Sequence, residues 1–187
     1  LKGFLKDLCG GSLYKVSSIA FDTCNTQLAI FDMIKSDPEM AHIICVLCDA
    51  HSINLLIRDI FKLLFFKIVY DLSQQIATGF LHKKAMRVLL RKHQLAIYTR
   101  TWTIMLAGDT RWVSVYNLFV SLKRSMAALI SLTEDPACTL KDEIKATIND
   151  RAYWNNMNEV MDILKPLYGL VVDAQLDGAT MEKVVPR

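Results

Sequence analysis

The residues best suited to chemistry gather in one stretch, ICVLCDAHSINLLIRDI, Ile44–Ile60, where Cys45, Cys48, His51 and Asn54 recur at every third position. Thiolates and an imidazole at that spacing are zinc ligands, but a structural zinc takes four donors and this stretch supplies three, with no second Cys/His pair at zinc-finger spacing downstream. In an extended segment Cys45 and Cys48 point to opposite faces, whereas Cys48 and His51 converge where a strand turns into a helix. The expectation is a chain that folds without zinc, with Cys45 buried as a small hydrophobe. His51 then opens a helix beside Asn54, where imidazole, amide and free helix N–H groups accept a phosphate oxygen or a carboxylate. Asp22 is the other isolated group. It follows an apolar run, and a carboxylate at a strand end either ligates a hard cation such as Mg²⁺ or caps the helix that comes next.

Two further groups read as phosphate contacts. Between Asp71 and Asp109 there is no acidic residue, while Lys83, Lys84, Arg87, Arg91, Lys92 and Arg100 fall inside it, in a chain whose net charge is only +3. Lys84, Arg87 and Arg91 recur at helical spacing, with Ala85, Val88 and Leu89 expected on the apolar face; the cations form either a phosphate-facing stripe or a solvated helix surface. That apolar face is too short and too poor in aromatics for a membrane-surface helix. Arg111-Trp112 follows Gly108-Asp109-Thr110 at an expected helix start. The guanidinium and indole there either bind phosphate and stack on a base, or form a core tryptophan with an arginine snorkelling beside it.

These groups need elements to position them. YKVSSIAF, Tyr14–Phe21, is β-branched and aromatic after a Gly-Gly-Ser turn and reads as a strand that delivers Asp22. Leu28, Phe31 and Ile34 give Asn25–Lys35 a helical period, closed by Asp37-Pro38. Ile43–Leu47 reads as a second strand, after which Ile53, Leu56 and Ile60 carry a helical period, so the Cys/His stretch is a strand passing into a helix. The remainder reads as helical, with breaks at Gly79 and over Thr101–Gly108, and one long helix over Arg111–Ser131 closed by Glu134-Asp135-Pro136. A short helix over Lys141–Ile148 follows, and another over Tyr153–Leu164 that Pro166 kinks or ends. The fold class is α/β at the N-terminus and mostly α overall, with residues 1–50 as strand, helix, strand and 51–187 as a helical portion.

Apolar residues make up 52% of the 187, enough to bury a core without disulfides, and no uncharged apolar run approaches the about 18 residues of a membrane span. The odd set of five cysteines suggests reduced thiols and an intracellular setting. With neither an initiator Met nor a signal sequence, the chain is expected to be part of a longer protein.

Four segments, IAFDTCNT, CDAHSINLLIRDI, GDTRWVSVYNLF and YWNNMNEVMDILKPLYGLVVDAQLDG, taken in this order, resemble the transposase domain of the hAT superfamily of cut-and-paste DNA transposases. That family has a strand ending in an acid, a Cys-x-x-His-x-x-Asn-Leu segment, a Thr-Arg-Trp segment and a helix with an early Trp and a later Pro-Leu. The matching positions are Asp22; Cys48, His51, Asn54 and Leu55; Thr110, Arg111 and Trp112; and Trp154, Pro166 and Leu167. Two positions depart from the pattern: Thr23 stands where the family often has Asn, and Asp49 places a carboxylate beside His51.

The resemblance implies part of an RNase H-like core interrupted by a large helical insertion. It also implies three carboxylates holding two Mg²⁺ or Mn²⁺ ions for phosphodiester attack in the complete protein. Asp22 matches the second carboxylate, as catalytic residue and metal ligand, and the other two would lie outside the chain. The chain alone is therefore expected to need no cofactor and to be inactive in strand cleavage and transfer. Cys48, His51, Asn54, Lys83, Lys84, Arg87, Arg91, Arg111 and Trp112 become its expected DNA-binding residues. The implied setting is nuclear, with DNA as partner, a homo-oligomer allowed, and no membrane or small-molecule substrate. The alternative is a transposon-derived DNA- or protein-binding module without catalysis.

Overall fold

The structure, a computed structural model, describes residues 1–22, 24–81, 83–108 and 113–175. The chain divides into two compact units, one built on Leu1–Leu55 and the other on Leu56–Leu176. In the first, helix α1 (Lys2–Leu8) leads through a 3-10 turn at Leu13–Lys15 into strand β1 (Ser18–Phe21), helix α2 (Asn25–Ser36) and strand β2 (Ile44–Leu47). β1 and β2 pair in parallel, in register from Ser18 opposite Ile44 to Phe21 opposite Leu47, with α2 as the crossover. Parallel neighbours require such a crossover, and the helical period of Leu28, Phe31 and Ile34 supplies it. Ile34 is fully buried and packs with Leu5, Leu13, Phe21, Met40 and Ile43. Asp37 accepts the Glu39 N–H at 2.9 Å, and the chain turns there toward β2.

The first strand is shorter than its composition suggests. Gly10 and Gly11 adopt positive φ (66° and 90°) and turn the chain. Leu13 then anchors in the core as Val16 N–H bonds to Leu13 C=O at 2.9 Å, so Tyr14–Lys15 belong to a turn and pairing begins at Ser18. Tyr14 remains exposed and stacks on His42, whose Nε2 lies 3.1 Å from Leu13 O. Helix α1 carries no long apolar pattern. Buried Leu5 holds it, as do ion pairs from Lys2 to Asp37 (2.7 Å) and from Lys6 to Glu39 (2.8 Å).

Helix α3 (Asp49–Ile60) carries the chain from the first unit into the second, which holds α4 (Leu64–Leu81), α5 (Lys84–Tyr98), α6 (Val113–Arg124), α7 (Met126–Thr133), α8 (Asp142–Asn149) and α9 (Arg151–Gln175). Helix α4 packs against α5, α6, α8 and α9; α5 against α7; α6 against α9. Phe119, Leu118, Leu122, Ile76, Leu129, Leu132, Ile148 and Met157 are fully buried between them. The chain is thus mostly helical, with a small two-stranded parallel sheet near its N-terminus.

Three expected boundaries are corrected in the helical unit. Gly79 does not break α4: a Cβ there would sit 3.1 Å from Leu140 Cδ2 and 3.2 Å from Ile144 Cδ1, so the glycine serves close packing against α8. The long helix expected through Ser131 divides at Ser125, a fully buried residue outside helical geometry whose Oγ accepts a hydrogen bond from Gln94 at 2.9 Å. Helix α9 runs through Pro166 to Gln175, with Leu164 and Val171 buried on either side of the proline; packing on both sides holds a helix that local propensity would end. None of the described helices is long and apolar enough to cross a membrane.

Candidate nucleic-acid interface

Asp22 and Cys48 lie side by side where the parallel pair ends. Cys48 N–H donates to Phe21 C=O at 2.7 Å, extending the ladder one step beyond β2, so Asp22 follows at the carboxyl edge of the strands. Ligands of open α/β sheets bind at that edge. Cys48 also starts α3: its carbonyl accepts Ser52 N–H at 3.0 Å and Ser52 Oγ at 3.1 Å. His51, in the first turn, places Nδ1 3.9 Å from Asp22 Oδ1, with both side chains partly exposed (37% and 53%). The imidazole therefore faces a carboxylate, and when protonated it forms an ion pair with it. Asp49, exposed in the same turn, complements the helix dipole there.

Asn54 does not join His51 in a pocket. Its amide nitrogen donates to Ala50 C=O at 2.7 Å within its own helix, leaving Oδ1 buried and without a partner. The four-residue backbond is a local alternative open to Asn in a helix. Cys45 is half-buried against the core of the first unit, and that burial pushes its thiol pKa up. Among the described residues no three His, Cys, Asp or Glu side chains gather to hold a metal. A two-ion centre draws on several carboxylates, and Asp22 fits as one ligand of such a centre; the described residues do not by themselves fit the whole.

The cations of α5 fall into two kinds. Lys83, at the N-cap, donates from Nζ to Thr139 C=O at 2.7 Å, and Arg87 donates from Nη1 to Leu81 C=O in the last turn of α4. Both thus occupy carbonyls, and Arg87 sits where a helix C-terminus favours positive charge. Lys84 and Arg91 are exposed and have no partner among the described residues, and Lys92 is 3.9 Å from Asp135 Oδ2. The apolar side of the helix is also relocated. Met86, Leu90 and Gln94 are buried, whereas Val88 (57% exposed) lies outward among the cations and Ala85 is exposed. The buried stripe recurs every four residues, and Gln94 continues it with a polar side chain.

Gln94 has a task that periodicity alone does not announce. Fully buried, it accepts Trp102 N–H and donates to Trp102 C=O, each at 3.1 Å, and reaches Ser125 Oγ. Met105 N–H bonds to buried Ser121 Oγ at 3.0 Å, and Gln74 does for Ala107 what Gln94 does for Trp102, at 3.2 and 3.4 Å. The Thr101–Gly108 segment, without helix or strand, is thereby pinned to α4, α5 and α6. His93 bridges α5 and the end of α7, with Nδ1 3.0 Å from Ser131 Oγ and Nε2 3.1 Å from Asp135 Oδ2. The Ala137 N–H, followed by His93, holds the Asp135 carboxyl below its ordinary range.

Arg111 and Trp112 lie outside the described residues. Compared with known protein families, curated proteins and solved structures, the chain matches none.

Proposed function

We propose that this chain is a DNA-binding portion of a hAT-type transposase, the complete form of which cleaves and joins DNA with divalent metal ions. The observation that carries the DNA-binding reading is the start of α5. Its N-cap Lys83 makes no side-chain cap bond, no acid occupies its first turn, and Lys84 there and Arg91 two turns on are exposed without partners among the described residues. Cations at a helix N-terminus oppose the dipole, and the free N–H groups there favour an anion. Lys83 and Arg87 are met by carbonyls, but Lys84 is not, and a local rule broken without internal compensation is expected where an outside partner supplies it; DNA phosphate is that partner in this reading.

The remaining motifs supply the rest of the reading. The order of the four segments resembles that of the family. The Asp22 strand is paired in parallel with the strand that leads to Cys48 and His51, and a helical unit follows, which is the order of an RNase H-like core entering an insertion. Among the described residues β1 and β2 each have one partner, and Ile44 and Leu47 are exposed on β2. Two strands do not make a stable sheet alone, and further strands of such a core would cover those edges. On this reading Asp22 is one metal ligand, and His51 orients or neutralises its carboxylate.

The test is fluorescence anisotropy of a labelled DNA duplex titrated with the purified chain. Binding is expected to be weak and steeply salt-dependent, and replacing Lys83, Lys84, Arg87 and Arg91 together with Gln is expected to abolish most of it. Unchanged affinity in that variant would make the basic helix a solvated face.

A further inference from the structure

A cavity of about 130 Å³ opens between α4, α5 and the Thr101–Gly108 segment. Buried Phe80 and Leu90 form its floor, and Trp102, Ile104 and Leu106 its wall. Arg87 and Arg91 stand on its rim, the first held by the Leu81 carbonyl and the second without a partner among the described residues. The space is of the order that accepts one aromatic ring or large aliphatic side chain.

The wall has no regular secondary structure of its own. Gln94, Ser121 and Gln74 take up main-chain groups of Trp102, Met105 and Ala107. The main-chain groups of Thr103, Ile104 and Leu106 have no hydrogen-bond partner among the described residues. An extended chain beside unpaired N–H and C=O groups adds as a strand, with alternate side chains entering pockets. Charge fixes the kind of chain: there is no acid between Asp71 and Asp109, Arg87 and Arg91 are at the rim, and the Arg124 guanidinium lies 5.5 Å from the Trp102 ring centroid.

We propose that this cavity is a docking site for an acidic peptide segment of a partner protein. The segment's main chain lies along Thr103–Leu106, one large apolar side chain enters over Phe80 and Leu90, and a neighbouring carboxylate meets Arg91. A nucleobase fits the site less well. Arg124 lies over the Trp102 ring and Tyr98 meets it edge-on at 5.2 Å, and the rest of the lining is largely aliphatic. The site therefore lacks an open aromatic platform for stacking.

The proposal is tested on the whole chain by ¹H–¹⁵N correlation spectra during titration with N-acetyl-L-phenylalanine and N-acetyl-L-leucine, each in carboxylate and neutral amide form. Millimolar binding is expected to shift the amides of Thr103, Ile104 and Leu106, with the amide forms about three- to fivefold weaker, the effect of losing one exposed ion pair. Arg91→Gln is expected to remove that difference between the two forms. Ile104→Asn is expected to weaken both forms while leaving duplex binding intact, because every cation remains. Leu106→Ala serves the same purpose should Ile104→Asn unfold the chain, as read from the dispersion of the spectrum. Absence of shifts with all four probes overturns the proposal, and so does stronger displacement of the same amides by deoxyadenosine 5′-monophosphate, which assigns the cavity to nucleic acid. Duplex binding that fails while the peptide probes bind counts against the DNA reading alone.

Discussion

Lys83 and Lys84 are neighbours of one type, yet they do different work. Lys83 ends on Thr139 C=O and stitches the start of α5 to the chain before α8, whereas Lys84 ends in solvent. Sequence spacing groups these cations; only the positions of nearby carbonyls separate them. Asp135 shows the same dependence on partners. It accepts Ala137 N–H at 2.9 Å and faces His93 Nε2 at 3.1 Å, with Lys92 3.9 Å away, and its carboxyl is held below the ordinary 3.8. A depressed folded-state pKa stabilises the fold fully above the unfolded value and loses that contribution as pH falls through the folded one. Thermal melts below about pH 4 are therefore expected to fall more steeply for the native chain than for Asp135→Asn. Parallel acid limbs would mean that the bridge contributes nothing to the fold.

Among the elements, the Thr101–Gly108 segment depends on side chains where a strand would depend on neighbours. Gln94→Leu keeps the volume but leaves Trp102 N–H and C=O unpaired, and each buried group left without a partner costs about 1–3 kcal/mol. Urea unfolding is expected to show a loss of about 2 kcal/mol or more, with Trp102 emission shifting red; a loss within the roughly 0.5 kcal/mol of a surface substitution would contradict the clamp. The parallel strands and α2 are legible in the sequence because their signals are local: β-branched runs stop at Asp22 and Cys48, and Leu28, Phe31 and Ile34 keep a helical period, of which Phe31 and Ile34 pack in the core while Leu28 stays exposed. The features that escape such a reading depend on distant partners. Gly79 fits a helix because Leu140 and Ile144 approach it, Ser125 divides a helix whose apolar period is continuous, and packing around Leu164 and Val171 carries α9 past Pro166. At the strand end, spacing places His51 at a helix start, but it does not show His51 facing Asp22 or Asn54 turning back onto Ala50.

Across the whole chain, the proposed function rests on surfaces whose charges are left uncompensated by the fold. The net charge of +3 understates this, because the acid-free stretch from Asp71 to Asp109 supplies the cations of α5 and the rim of the cavity beside it. DNA binding is tested most directly by the salt dependence of duplex affinity in two double variants. Each phosphate contact contributes about 0.9 to the slope of log K against log salt. Lys84→Gln with Arg91→Gln, which removes the unpartnered cations, is expected to lower that slope by about 1.8. Lys83→Gln with Arg87→Gln, which removes cations already bonded to carbonyls, is expected to lower it by less. An unchanged slope without Lys84 and Arg91, or an equal fall in both variants, would contradict the account.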